Sequence, residues 1–125
     1  MPPSSTLDEE EAGRIHLCAT TAVTSGTVVL SMRGVLDADS LPGCRCMLDR
    51  VVRRRPLRLV HDVTGVEVDH STVAVLGLIR RYVQRSGVQF VLAGLPHRLA
   101  EALRQAHVED LYDIDTSPIT DPLRN

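Results

Sequence analysis

The sequence predicts an α/β domain built on a mixed sheet of four or five strands. Three observations point there. Short stretches with alternating or unbroken apolar residues are separated by stretches whose apolar residues recur every three or four positions. The first two strand-like stretches have only a turn between them, whereas each later one follows a helix-like stretch. The chain is 125 residues long and 43% hydrophobic but only 2% aromatic, so one domain with a core of Val, Leu, Ile and Ala is expected.

Taken in order, Ile15 to Val23 alternates (Ile15, Leu17, Ala19, Thr21, Val23) and reads as a strand with one buried face. Thr24-Ser25-Gly26 makes a turn, and Thr27 to Arg33 sets Val28, Leu30 and Met32 on one face, so the pair forms a hairpin. Asp39 or Ser40 is placed to cap a first helix. There Leu41, Cys44, Leu48 and Val51 form the apolar stripe, Pro42 falls in the tolerant first turn, and Pro56 ends the element. Leu57 to Thr64 is apolar and bounded by Pro56 and Gly65, as an inner strand would be.

A second helix runs from Val73 to Arg85, with Val73, Leu76, Ile79 and Val83 facing in and Ser86-Gly87 closing it. Val88 to Ala93 is another inner strand. A third helix extends from Pro96 through Ala106, with Leu99, Ala102, Leu103 and Ala106 inward, and Leu111 to Ile114 suits a short edge strand. Strands joined through helices pair in parallel by right-handed crossovers, and the opening hairpin adds an antiparallel pair. Residues 1–13, with Asp8-Glu9-Glu10-Glu11, read as a flexible acidic tail. Residues 14–116 form the domain, and 117–125, carrying Pro118 and Pro122, form a second tail.

Several function classes are disfavoured by composition. A formal net charge of −2 supplies no basic field for nucleic acid or an anionic membrane. All 14 cationic side chains are arginine, the codon habit of a GC-rich genome such as an actinobacterial one. No apolar run approaches the roughly 20 residues of a membrane span, and the start has no basic or apolar signal region, so a cytoplasmic protein is expected. Cys18, Cys44 and Cys46 then read as reduced thiols. Were Cys18 and Cys44 both to face the core they could approach one another and act as a redox switch; inert thiols are the simpler reading.

The stretch with chemistry in it is "VDHSTVAVL", Val68 to Leu76, which puts Asp69, His70, Ser71 and Thr72 between a strand and a helix. Capping explains those residue types: Asp69, Ser71 or Thr72 can bond the free N–H groups of a first turn, with Asp69 the leading candidate. The same N–H groups and the helix dipole also suit an anion or an acidic partner group, so a small-ligand or nucleotide sensor with its anion near Ser71 and Thr72 is a second reading. Catalysis is disfavoured. Neighbours in sequence rarely form a triad, and neither a nucleophile elbow nor a glycine-rich phosphate loop is present. The five histidines show no metal spacing, and Cys44 and Cys46 lie about 200° apart on a helix, unable to share a metal. No cofactor or metal is expected. The second helix, by contrast, begins with seven non-polar residues, Val73 to Ile79, more than one face can bury in a single core. Either neighbouring elements cover the rest, or a patch with Ala74 and Gly77 meets a partner.

Three segments in this order, "MRGVLDADS", "LRLVHDVTGVEVDHSTVAVLGLIRRYVQRSG" and "VQFVLAGLPHRLAEALRQAHVEDLYDI", resemble the STAS domain of bacterial anti-sigma-factor antagonists, from about Val28 to Ile114. The resemblance implies a non-enzymatic switch with helices mainly on one face of the sheet. Its partner would be an anti-sigma factor, commonly a serine protein kinase, whose capture frees a sigma factor. It also implies a contact surface made by Asp37, Asp69, His70, Ser71, Thr72, Ala74 and Gly77, in a monomer or weak dimer. In the family a kinase switches the antagonist off by phosphorylating the first serine of a D-S-S-G turn, adding charge at a helix start. Aligning Asp69 with the family's aspartate places His70 at the acceptor position and Thr72 at the glycine, which implies no switch at that position. Aligning His70 with the aspartate instead makes Ser71 the acceptor at a cost in helix register. Ser71 and Thr72 are thus the candidate phosphoacceptors.

Overall fold

The computed structural model describes residues 17–116. Ile15 and both predicted tails therefore lie outside the described residues. Strand β1 (Leu17–Thr24) and β2 (Thr27–Val35) form the expected hairpin, with Thr24 opposite Thr27. The two linking residues, Ser25 and Gly26, have φ of 47° and 82°. Positive φ at both centres makes a turn whose twist matches that of the strands, and Gly26 adopts it without strain.

Helix α1 (Leu41–Arg53) crosses to β3 (Arg58–Glu67), α2 (Thr72–Arg85) to β4 (Gln89–Ala93), and α3 (His97–Gln105) leads through a 3₁₀ turn (Glu109–Leu111) to β5 (Asp113–Asp115). The sheet order is β1-β2-β3-β4-β5, antiparallel only between β1 and β2. Sequence neighbours are thus sheet neighbours throughout. All three helices send apolar side chains into one core with the inward strand residues: Cys44, Leu48, Leu76, Ile79, Leu99 and Leu103 meet Leu30, Leu59, Phe90 and Leu92. Among the described residues, the other sheet face holds a small strand cluster of Val60, Val91 and Ala93, with Val29 beside it. Among the described residues, no helix is long and apolar enough to cross a membrane.

Local departures from expectation have physical causes. β3 continues three residues past Thr64 because of an irregularity: Ser31 pairs Asp62, but Arg33 pairs Gly65. The extra residue resets the alternation, so Val66 as well as Val63 reaches the core. The cap before α1 is neither Asp39 nor a side-chain bond from Ser40. Asp37 and Ser40 instead bond each other's backbone across a short 3₁₀ turn (Ala38–Ser40).

The core stripe of α2 is Thr72, Val75, Leu76, Ile79 and Val83, with Val73 only half-buried, and the helix begins one residue earlier than predicted. Ala106 is exposed rather than inward. It is the C-cap of α3, followed by His107 at φ 59°, and the bonds from His107 to the Arg104 carbonyl and Val108 to the Leu103 carbonyl close the helix there. The last strand is Asp113–Asp115, the preceding Leu111 being exposed in the 3₁₀ turn.

All three cysteines are free, Cys18 and Cys46 exposed and Cys44 buried. Burial, then the nearby Asp37 charge, pushes the Cys44 thiol up to about 12. Because only Cys44 of the pair faces the core, a Cys18–Cys44 switch has no geometric basis. Cys44 is a small core hydrophobe.

Candidate partner-binding site

The chain leaves the sheet at the end of β3 and must turn back over it as α2. The turn is made by Asp69 to Thr72. The N–H of Thr72 donates to the Asp69 carbonyl at 3.2 Å, and the N–H of Asp69 donates to the Thr72 hydroxyl at 2.8 Å. That hydroxyl in turn donates to the carbonyl of Leu36 at 2.8 Å. Leu36 follows β2, so one fully buried hydroxyl ties the loop before α2 to the loop before α1. Threonine suits this post because its methyl can pack in the core while its hydroxyl accepts and donates at once.

The Asp69 carboxylate holds the exposed side of the turn. Its Oδ1 accepts the Ser71 N–H at 2.7 Å and the Ser71 hydroxyl at 2.9 Å. Those bonds, the backbone one first and the hydroxyl next, hold the Asp69 carboxyl below the usual carboxylate range, so it is charged at neutral pH. The capping arrangement differs from the predicted one. Ser71 is the N-cap residue and makes no side-chain cap bond, and Asp69 bonds Ser71 itself, one residue ahead of the helix. The Ser71 hydroxyl donates to the Asp69 carboxylate and, among the described residues, makes no hydrogen bond to a histidine. A negative charge already stands at the helix start, where the sensor reading would need room for a ligand anion.

The predicted contact residues divide by exposure. His70 and Ala74 are exposed, and Asp69 and Ser71 half-buried, all at the α2 start. Asp37 is half-buried in the loop that the Leu36–Thr72 bond holds against this turn. Thr72 offers no surface, and its hydroxyl is enclosed; it positions the turn rather than touching a partner or meeting a kinase in the folded state. Gly77 is half-buried and faces Tyr112, just ahead of β5, since a Cβ there would lie 3.8 Å from the Tyr112 hydroxyl. Of the seven-residue apolar run, Val75, Leu76 and Ile79 are buried, Val73 and Gly77 are half-buried, and Ala74 and Leu78 are exposed. The unpartnered patch is therefore Ala74 with Leu78 rather than Ala74 with Gly77. Sequence reasoning did not single out Leu78, although its apolar neighbours on both sides were the available signal. Leu36 contributes a backbone carbonyl, for which no sequence signal exists.

Residues 19–119 match the model of the STAS domain, about four-fifths of the chain. The protein belongs to the STAS domain family. No curated protein matches it closely enough to add a relative. Its fold is similar to that of an anti-sigma factor antagonist from Mycobacterium paratuberculosis, at 17% identity and TM-score 0.67, covering 81% of this chain and 86% of that one. A variant of RsbS from Moorella thermoacetica gives 20% identity and TM-score 0.66 over 80% of this STAS chain and 87% of its own. The unphosphorylated form of the anti-sigma factor antagonist SpoIIAA gives 13% identity and TM-score 0.61 over 79% and 89%. At these identities the likeness is one of fold.

Proposed function

We propose that this STAS domain is an anti-sigma-factor antagonist: it captures an anti-sigma factor by protein–protein contact and so releases a sigma factor, acting on transcription indirectly. The observation that carries this reading is the hydrogen-bonded turn from Asp69 to Thr72, which holds Asp69, His70 and Ser71 just ahead of α2, with Ala74 in its first turn. Rigidity matters because a surface already ordered in the free protein loses little conformational freedom on binding. Names of fold relatives as anti-sigma factor antagonists support the same reading. The partner we infer is an anti-sigma factor of the serine-kinase kind, met in the cytoplasm.

The regulation we infer is different from a serine switch at the usual acceptor position, which His70 occupies. Ser71 is a poor substitute. Its hydroxyl is held by the Asp69 carboxylate at 2.9 Å, and a phosphate there would set two further negative charges against that group. Binding is therefore constitutive with respect to phosphorylation at position 70. Affinity capture from the native host, followed by incubation with the captured partner and ATP, tests both parts. The reading expects an anti-sigma factor in the eluate and no phosphate on this protein. Recovery of no such factor overturns the function, and stoichiometric phosphate on Ser71 with loss of binding overturns the regulation.

A further inference from the structure

A second feature lies at the other half of α2, away from the Asp69 turn. Between α1 and α2 there is a half-open groove of about 240 Å³. Its floor is aliphatic, made by Leu41, Leu48, Leu78 and Ile79 with the Cys44 thiol. Its rim is cationic, made by Arg45, Arg81 and Arg85, and no carboxylate lines it.

The rim is not charge-compensated from within. Arg81 and Arg85 stand four apart on one helix face, a spacing at which like charges repel. Neither they nor Arg45 form an ion pair with any described residue. The nearest acid on α1, Asp49, is engaged by the Tyr82 hydroxyl. Arg45 lies over the Tyr82 ring, 5.7 Å from its centroid, a stacking that leaves the edge of its guanidinium free to donate. Three guanidinium groups without an ion-pair partner among the described residues, set round an aliphatic trough, complement one kind of molecule: an anionic head on an apolar tail. The volume falls below the ~300–1,000 Å³ of sites that enclose drug-sized ligands, so the tail is short and unbranched and the groove leaves part of it in water.

We propose that this groove binds a linear medium-chain carboxylate, its tail along Leu41, Leu48 and Leu78 and its head chelated by Arg81 and Arg85 with help from Arg45. The groove adjoins the surface proposed to meet the anti-sigma factor, since Leu78 stands one helical turn from Ala74, but its occupancy by a small carboxylate is read on the protein alone and does not depend on that reading. Tail length sets affinity: each methylene that reaches the floor tightens binding by up to about fourfold until the trough is filled. Salt weakens binding, because the rim arginines are exposed.

Decanoate, used below its micelle-forming concentration and titrated into the full chain, is the probe. Backbone amide shifts followed by NMR should saturate and map to residues 41–48 and 78–85. Hexanoate should bind more weakly, and decyltrimethylammonium, with the opposite charge, should leave these amides unmoved. The double variant Arg81→Gln, Arg85→Gln should lose at least about tenfold in affinity while melting like the wild type, since both side chains are exposed. Leu78→Glu, also at an exposed position, should abolish binding through the tail. The proposal is overturned if decanoate gives no saturable shifts, if the cationic amphiphile binds as well, or if the shifts fall elsewhere. It is equally overturned if an acidic amphipathic peptide binds the groove and decanoate does not, which would make it a protein-docking surface.

Discussion

Two polar side chains, Thr72 and His61, are completely buried in this domain, and they are treated in opposite ways. Thr72 has a donor and an acceptor, and both are used: it takes the Asp69 N–H and gives its proton to the Leu36 carbonyl. His61, in the middle of β3, has two ring nitrogens, and neither has a hydrogen-bond partner among the described residues. It packs edge-on to Phe90, 5.8 Å between ring centres, as though it were one more aromatic core residue. The first case stabilises a particular loop geometry at the start of α2. The second lowers stability and makes it depend on pH. Equal burial therefore says little about role; the count of satisfied polar atoms decides it.

Acid is the strongest way to expose the difference. Burial pushes the His61 imidazole down from 6.5 to about 4, against a smaller upward pull from Asp62. The unfolded chain takes up a proton near 6.5 while the folded one does so only near 4, so the penalty for keeping His61 neutral is absent above 6.5 and grows as pH falls through that window. The gap corresponds to roughly 3 kcal/mol of stability. Urea melts at pH 7 and pH 4.5 should show a loss of that order in the wild type, and His61→Leu should remove most of it. An unchanged pH slope in His61→Leu would mean that other groups carry the acid sensitivity.

Removing the Thr72 hydroxyl comes next. Thr72→Val keeps the shape but leaves the Leu36 carbonyl and the Asp69 N–H unpaired, at a cost of about 2 kcal/mol in chemical denaturation. The same substitution should loosen the turn, seen as faster amide exchange from Asp69 to Ala74. At neutral pH His61→Leu should act in the opposite direction, raising stability by about 1–2 kcal/mol because two orphaned polar atoms leave the core. A Thr72→Val protein as stable as wild type, or a His61→Leu protein that is less stable, would dissolve the contrast between the two residues. The smallest effect belongs to Ser71→Ala. It removes a half-exposed bond to Asp69 and should change stability by no more than about 0.5 kcal/mol.

Most of the architecture was legible because strands and helices announce themselves by apolar period. The hairpin, the three crossovers and the closing Ser86-Gly87 all followed from local pattern. The failures mark where tertiary contacts override it. Thr72 belongs to the inward stripe of α2, but a polar residue breaks an apolar period, so the helix was read from Val73. Its partner, the Leu36 carbonyl, is 36 residues away and leaves no trace in side-chain chemistry. His61 occupies an inward position between Leu59 and Val63, yet the alternation that places it says nothing of whether its nitrogens find partners. Ala106 fitted the helical spacing, and the left-handed residue that ends the helix just beyond it is a histidine rather than the glycine that would have signalled a stop. The turn before α2 was legible in part, since Asp69, His70, Ser71 and Ala74 are close in sequence. The arginine-rimmed groove was not, because two helices far apart in the chain build it.

The central claim, that the surface held by the Thr72 lock captures an anti-sigma factor, is tested most directly by a binding titration with the factor recovered from the native host. Ala74→Arg is the variant to compare with wild type, because Ala74 is exposed and a large cation there obstructs close approach without touching the core. The account predicts saturable one-to-one binding by the wild type, and loss of at least about tenfold in affinity in Ala74→Arg with an unchanged melting temperature. Binding of the anti-sigma factor that Ala74→Arg leaves untouched would contradict it.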